Sequence, residues 1–365
     1  MTVASAEGCW LTMADGKKYL DFGAGVAVLN LGHCHPHVKK AAAEQLDRVW
    51  HASNHFWNQP MIDLATKLGQ KFPRSQFFFC NSGTEANEAL IKYARKATGR
   101  SGIVALEQSF HGRTCGALSI TGQPAKRDIY APLLPNVKFV PINDIEALRA
   151  AVDDTVGLVI MEPVQGEGGV WPVDVEFAKA AREITRKNGS LLAIDEIQCG
   201  VGRTGTFFGF ERLGVRPDLV SMAKGLGNGM PIGALLVADE AAGGFGPGDH
   251  ASTFGGNPVA CAAASAVLDA LTDDVLANCD RQGKKLRAAV SSFKGVKSVR
   301  GEGLLIGIEL ESPAATAVAA CRERGLVTTA AGANVVRLSP PLIVNDSEVA
   351  SALEILESAL KSLQS

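Results

Sequence analysis

Four short segments of this sequence carry side chains whose types and neighbours suit chemistry. Asn81-Ser82-Gly83-Thr84-Glu85-Ala86-Asn87-Glu88 lies where a strand-like run hands over to a helical pattern. Free N–H groups at a helix start, a glycine that admits close approach and two hydroxyls make an anion site suited to phosphate. The same residues also read as an ordinary N-cap with Glu85 as its capping-box partner, and caps are commoner than phosphate sites. Asp195 ends the apolar run Leu191-Leu192-Ala193-Ile194. An acid at the mouth of a buried sheet is costly to ionise unless it meets a cation. A pyridinium nitrogen is one such cation, and a carboxylate at the surface edge is the alternative. Lys224 follows another strand, between Ala223 and Gly225-Leu226-Gly227, which leave its stem uncrowded. Desolvation there would make it a usable amine nucleophile, although a lone lysine is usually a solvated surface group. Phe110-His111-Gly112-Arg113 closes a further strand-to-loop transition. By itself the phenylalanine reads as core and the arginine as surface.

Gly200-Val201-Gly202-Arg203-Thr204-Gly205 matches G-x-G-x-x-G to the letter, with Asp218 downstream. A dinucleotide site needs its first glycine directly after a strand and a helix after its last. Here Glu196 and Gln198 intervene and Thr206-Phe207-Phe208-Gly209-Phe210 follows, so we read the match as a decoy.

The elements that must hold these segments form an alternating series. Strand-like runs fall at Gln76–Cys80, Gly102–Glu107, Val137–Val140, Val156–Glu162, Ser190–Asp195, Asp218–Met222 and Ile232–Ala238, with helical patterns between them. Ala86, Ala89, Leu90, Tyr93, Ala94 and Ala97 share one face of the first such helix. The alternation predicts an α/β layer with a mostly parallel sheet. After about residue 256 the pattern becomes two helices (258–271, 274–293), paired strands (296–299, 304–310), helix, strand (335–338) and helix, a separate small α+β lobe. No linker composition and no internal repeat divides the chain.

Composition bounds the function. With 46% apolar and 20% charged residues the 365-residue chain can bury a large core. Lys and Arg number 36 against 38 Asp and Glu, so no basic surface suggests nucleic acid. No apolar run is long enough to cross a membrane, and Met1–Trp10 lacks the pattern of a secretory leader. The eight cysteines contain no C-x-x-C pair; neither a zinc site nor a disulfide framework is suggested, no metal is expected, and a reducing cytoplasm is.

Taken in order, S-G-T-E-A-N-E, F-H-G-R, E-P-V-Q-G-E-G-G, I-D-E-I-Q-C-G-V-G-R-T-G, A-K-G-L-G-N-G, S-T-F-G-G-N-P and N-V-V-R-L-S-P-P resemble the class III pyridoxal-phosphate-dependent aminotransferases. The likeness runs from Gly8 to about Leu360 and is strongest to the branch that acts on N-acetylornithine. It implies a fold-type-I, aspartate-aminotransferase-like transferase: an N-terminal segment (1–45) joining the small lobe, a large cofactor-binding domain (46–256) and a small C-terminal domain (257–365). Pyridoxal 5′-phosphate would bond to Lys224, which would also shuttle the proton. Asp195 would hold the pyridine nitrogen protonated, Gln198 would bond the ring 3-oxygen, and Ile197 and Phe110 would cover the two ring faces. Ser82, Gly83 and Thr84 would take the phosphate, with Thr253 reaching in from a partner subunit and Ser252 near the substrate, so a homodimer with shared sites is implied. Arg113 would bind a carboxylate remote from the reacting amine. Arg337 would take the α-carboxylate of glutamate, with Glu162 masking it while the diamine is bound. Val26 replaces the tyrosine of the free-ornithine relatives, which favours an N-acylated substrate, and Trp57 stands at an aromatic gate. The implied reaction moves the δ-amino group of N2-acetylornithine to 2-oxoglutarate, a step of arginine biosynthesis. Within the class the alternatives are succinylornithine, succinyl-diaminopimelate or 4-aminobutyrate aminotransferases and aminomutases. Outside it stand an NAD-dependent oxidoreductase and a non-catalytic cofactor binder.

Overall fold

The computed structural model describes residues 1–363. Its largest sheet has seven strands, ordered Ser75–Cys80, Gly233–Ala238, Leu219–Met222, Leu191–Asp195, Val156–Met161, Gly102–Leu106 and Val137–Val140. All neighbours are parallel except at Gly233–Ala238, which runs antiparallel to both of its partners. Gly102–Leu106, Val156–Met161, Leu219–Met222 and Gly233–Ala238 are buried at every position. That burial explains why these runs are apolar apart from Ser221: a sheet covered on both faces leaves no polar side to alternate with. Helix Gly83–Thr98 covers one face with Ala86, Ala89, Leu90, Tyr93 and Ala94, but its last turn lifts away and Ala97 is exposed. Gly99, in the left-handed region, ends it.

A second sheet, Val296–Glu302, Leu305–Leu310, Val335–Leu338 and Thr329–Ala330, is antiparallel throughout. It is flanked by helices Asp273–Val290, Ala314–Glu323 and Asp346–Ser362. The N-terminal strands Val3–Glu7, Trp10–Met13 and Lys18–Asp21 continue onto Leu326–Val327, where Lys18–Asp21 pairs in parallel. Gly200–Gly205 forms a turn with Val201, Gly202 and Gly205 at positive φ and leads to the 3-10 turn Gly209–Leu213, not to a helix start. The nucleotide reading of that motif is thereby excluded. Among the described residues no helix is long and apolar enough to cross a membrane.

Between the N-terminal strands and the large sheet the backbone makes one turn of left-handed helix, with φ of 44°, 63°, 67° and 59° at Ala24, Gly25, Val26 and Ala27. Asp21 Oδ1 caps it, accepting from the N–H groups of Gly23 (3.0 Å) and Ala24 (2.8 Å), and Asp21 Oδ2 lies 2.8 Å from His33 Nε2. A β-branched residue in this region is strained, because its Cβ crowds the following carbonyl. Val26 is 41% exposed, so its burial offsets only part of that strain. Val26→Gly should therefore raise stability by about 1 kcal/mol, read as a higher Tm or denaturation midpoint; a lower midpoint would show that the turn is not strained at Val26.

Candidate active site

The carboxyl ends of the parallel strands are where an open α/β sheet presents its loops to a ligand, and five of the strand exits meet there. They deliver Asn81 to Thr84, Phe110 to Arg113, Glu162 to Glu167, Asp195 to Gln198 and Ala223-Lys224 around one cavity of about 380 Å³; Ile232, at the start of the antiparallel strand, also lines it.

Asp195 lies at the back of this cavity, 2% exposed. Its Oδ2 accepts from Asn87 Nδ2 at 2.8 Å and sits 2.7 Å from His111 Nδ1, while Oδ1 accepts from the Ile197 N–H at 3.0 Å. These donors let a buried carboxylate stay charged. Lys224 stands in the left-handed region (φ 43°), and its side-chain amine forms no hydrogen bond or ion pair among the described residues. Burial holds its ammonium below the ordinary lysine range; Glu167 opposes that effect and Arg337 adds to it.

Ser82 is the N-cap of helix Gly83–Thr98, its Oγ accepting from the Glu85 N–H at 3.3 Å, and the Glu85 carboxylate accepts in return from the Asn81 N–H at 3.0 Å. The cap reading is thus realised, and it leaves the N–H groups of Gly83 and Thr84 without a partner among the described residues. Two glycines make the approach possible. A Cβ on Gly83 would lie 2.7 Å from Ile197 Cδ1, and one on Gly112, at φ +142°, 2.3 Å from Thr84 Oγ1. Either would close the space in front of the helix start.

The arginines differ. Arg113 is exposed, lines the cavity, and makes no ion pair among the described residues; its guanidinium lies 5.6 Å from the Phe110 ring centre. Arg337, 1% exposed on the strand Val335–Leu338, donates to Glu167 Oε1 (2.6 Å), the Gly166 carbonyl (2.6 Å), Gln198 Oε1 (3.1 Å) and Thr329 Oγ1 (3.1 Å). Burial alone would raise the Glu167 carboxyl, but the charge and hydrogen bond of Arg337 outweigh it and hold it below the ordinary range.

This corrects one expectation: the acid on Arg337 is Glu167, not Glu162. The strand ends at Met161, so Glu162 still points into the interior, where it accepts from the N–H groups of Phe110 (3.0 Å) and Gly166 (3.1 Å). The Gly166 turn then swings the second acid of the same motif outward. Val26 also lies outside the cavity, which Val28 lines instead; Trp57 is 83% exposed and away from it. Ser252 and Thr253 do not reach this chain's cavity. Ser252 Oγ accepts from Asn81 Nδ2 at 3.1 Å, and both residues line a neighbouring recess with His250 and Phe254. Asn87, His111 and Glu167 had no assigned role in the sequence reading; the second acid of E-P-V-Q-G-E was the available signal for the last.

The fold and site define a pyridoxal-phosphate-dependent transferase of fold type I. The class-III aminotransferase family model matches residues 1–360, and the chain belongs to that family. An acetylornithine aminotransferase of Mycolicibacterium smegmatis is 48% identical over 99% of this chain and 93% of that protein, and one of Bacillus cereus is 46% identical over 94% and 90%. Among solved structures, the ornithine aminotransferase of Toxoplasma gondii superposes with a TM-score of 0.95 at 30% identity, over 100% of this chain and 91% of that one. The N-acetylornithine aminotransferase of Stenotrophomonas maltophilia does so at 0.87 and 34%, over 100% and 96%. The protein is an aminotransferase that uses pyridoxal 5′-phosphate with amino-acid and keto-acid substrates. The residues present fit that cofactor: two free N–H groups at a helix start suit a phosphate, a fixed buried carboxylate suits a protonated ring nitrogen, and an unpaired amine suits an aldehyde.

Burial pushes the Glu162 carboxyl up to about 7, the nearby His111 and the two backbone donors offsetting part of the effect. Because the folded value lies above the unfolded one, the stability this group contributes is complete below the unfolded value and is lost as pH rises through about 7. The stability difference between the protein and its Glu162→Gln variant should therefore shrink between pH 5 and 8. Calorimetry at stepped pH measures it, and a difference that stays constant would show Glu162 to be ionised throughout.

Proposed function

We propose that the chain moves the δ-amino group of N2-acetylornithine to 2-oxoglutarate, giving N-acetylglutamate 5-semialdehyde and glutamate. The carrying observation is the 2.6 Å ion pair that covers the buried Arg337 with Glu167, beside an Arg113 that no acid pairs with among the described residues. A donor whose reacting amine is remote from its carboxylate needs one arginine, far from the chemistry. Glutamate, reacting at the α-amine, brings a second carboxylate close to the reacting carbon and needs another. An arginine that an acid can cover or release serves both in turn, and the guanidinium fork suits a carboxylate better than an ammonium would. The names of the relatives support the same donor.

The bound cofactor supplies an electron-withdrawing ring and a carbonyl carbon at which amines exchange. In this reading Gly83 and Thr84 hold its phosphate, with Ser82 fixing the helix start. Phe110 and Ile197 pack on the ring, Gln198 bonds its 3-oxygen, and Asp195 keeps the proton on the ring nitrogen. Lys224 Nζ, its pKa lowered by burial, is the amine that holds the cofactor at rest and carries the proton once substrate displaces it. The large sheet (46–256) would form the cofactor-holding domain, and 257–365 with 1–45 the second. Trp50, Phe56, Trp57 and Phe254 form a largely exposed apolar group, tied together where His51 meets Phe254 and Asn54 bonds the Ser252 carbonyl. We read it as a homodimer face that carries Thr253 and Ser252 toward the partner's cavity, in a cytoplasmic enzyme of arginine biosynthesis.

A donor panel with 2-oxoglutarate as acceptor tests the substrate: N-acetylornithine should exceed ornithine and 4-aminobutyrate, and a different leading donor overturns the reading. Arg113→Ala should slow both half-reactions by a few kcal/mol, on the scale of charged hydrogen bonds. Arg337→Ala should slow the glutamate half-reaction far more than the acetylornithine one. Single-turnover spectroscopy separates the two, and equal losses for Arg337→Ala would end the switching role. Thr253→Ala should weaken cofactor binding in a dimer that sedimentation still detects; a monomeric, fully active enzyme is the contrary result.

A further inference from the structure

The groups that would hold the two ends of the cofactor belong to different elements: Gly83 and Thr84 open a helix, and Asp195 ends a strand. One side chain joins them. Asn87 lies a turn further along that helix, fully buried, and its Nδ2 donates to both Asp195 Oδ2 (2.8 Å) and the His111 carbonyl (2.7 Å). Both amide hydrogens are used, while Asn87 Oδ1 is buried with no partner among the described residues. An orphaned acceptor is a cost that an apolar side chain of similar volume would avoid. His111 Nδ1 reaches the same Oδ2 at 2.7 Å, and His111 Nε2 is buried and unpartnered. The nitrogen that faces a carboxylate, an acceptor only, is the donor of the pair, so His111 gives its Nδ1 hydrogen to Oδ2.

The two oxygens of Asp195 are therefore unequal. A carboxylate oxygen accepts about two hydrogen bonds. Oδ2 has both, from Asn87 and His111; Oδ1 has one, from the Ile197 N–H, and keeps a lone pair.

We propose that Asn87 is a positioning residue that locks the Asp195 carboxylate to the helix carrying the phosphate cradle, so that Oδ1 is the oxygen offered to the ring nitrogen. The proposal rests on the reading of Asp195 given above. Asn87 touches no cofactor atom itself. It fixes the spacing between the phosphate end and the nitrogen end of the site, and it occupies the oxygen that would otherwise compete.

The test uses the full-length holoenzyme with Asn87→Leu, which keeps the branched heavy-atom skeleton, and Asn87→Ala, which keeps the helix if leucine does not pack. Circular dichroism checks the fold of each. The readouts are the dissociation constant of pyridoxal 5′-phosphate by equilibrium dialysis and the pH midpoint of its visible absorption band. Losing one hydrogen bond to a charged group should weaken cofactor binding roughly tenfold and move the midpoint. In an Asp195→Asn background the same substitutions should add less than about twofold, because the effect runs through that carboxylate. Equal losses in both backgrounds would make Asn87 a structural residue and overturn the proposal, as would unchanged affinity and midpoint in the folded single variant. If Asp195→Asn alone changes neither readout, the underlying reading of Asp195 fails, and the proposal with it.

Discussion

Much of this structure follows from keeping one carboxylate ionised at the closed end of an apolar sheet. Asp195 is almost entirely buried, and a charge there is tolerable only if donors surround it. The turn that follows its strand supplies one, the Ile197 N–H two residues on. The others come from outside: Asn87 from the helix after the first strand of the sheet, and His111 from the loop after the second. Phe110 and Arg113 are placed by the same loop, and Gly83 and Thr84 by the same helix. The contacts that stabilise the charge therefore also fix the walls of the cavity.

The second constraint couples the two sheets. Arg337 belongs to the antiparallel sheet, yet its guanidinium donates to Gly166, Glu167 and Gln198, all at strand ends of the large one. Arg203 does a comparable job in the former decoy motif. It is fully buried with no carboxylate partner among the described residues and donates to the carbonyls of Leu304 and Pro340 and to Asn30 Oδ1, while burial pushes its pKa down to about 10. Three parts of the chain distant in sequence converge on it. Its glycines serve the turn that lets the guanidinium enter the core, and no nucleotide is needed to explain them.

The strands, helix starts and chemical residue types were legible because each depends on neighbours in sequence. An apolar run buried on both faces, a serine capping a helix, an acid directly after a strand and a lysine between small residues all declare themselves locally, and seven such motifs in order identify the family. Glu162 and Glu167 show where that legibility stops. Both are acids of one motif, and only the exit direction of the strand at Met161 and the turn at Gly166 decide which of them faces Arg337, 170 residues away from Glu167. Val26 and Val28 were likewise indistinguishable until the left-handed turn set which one faces the cavity.

The sequence by itself determined the layer architecture, the family and most of the residues that line the site, since hydrophobic period, capping and short motifs are local properties. Only the tertiary structure decided the pairings: Glu167 with Arg337, Asn87 and His111 with Asp195, and Arg203 with the carbonyls of Leu304 and Pro340. The physical reason is that a buried charge is satisfied by whichever donors reach it through space, at a few ångströms, and sequence separation carries no record of that distance.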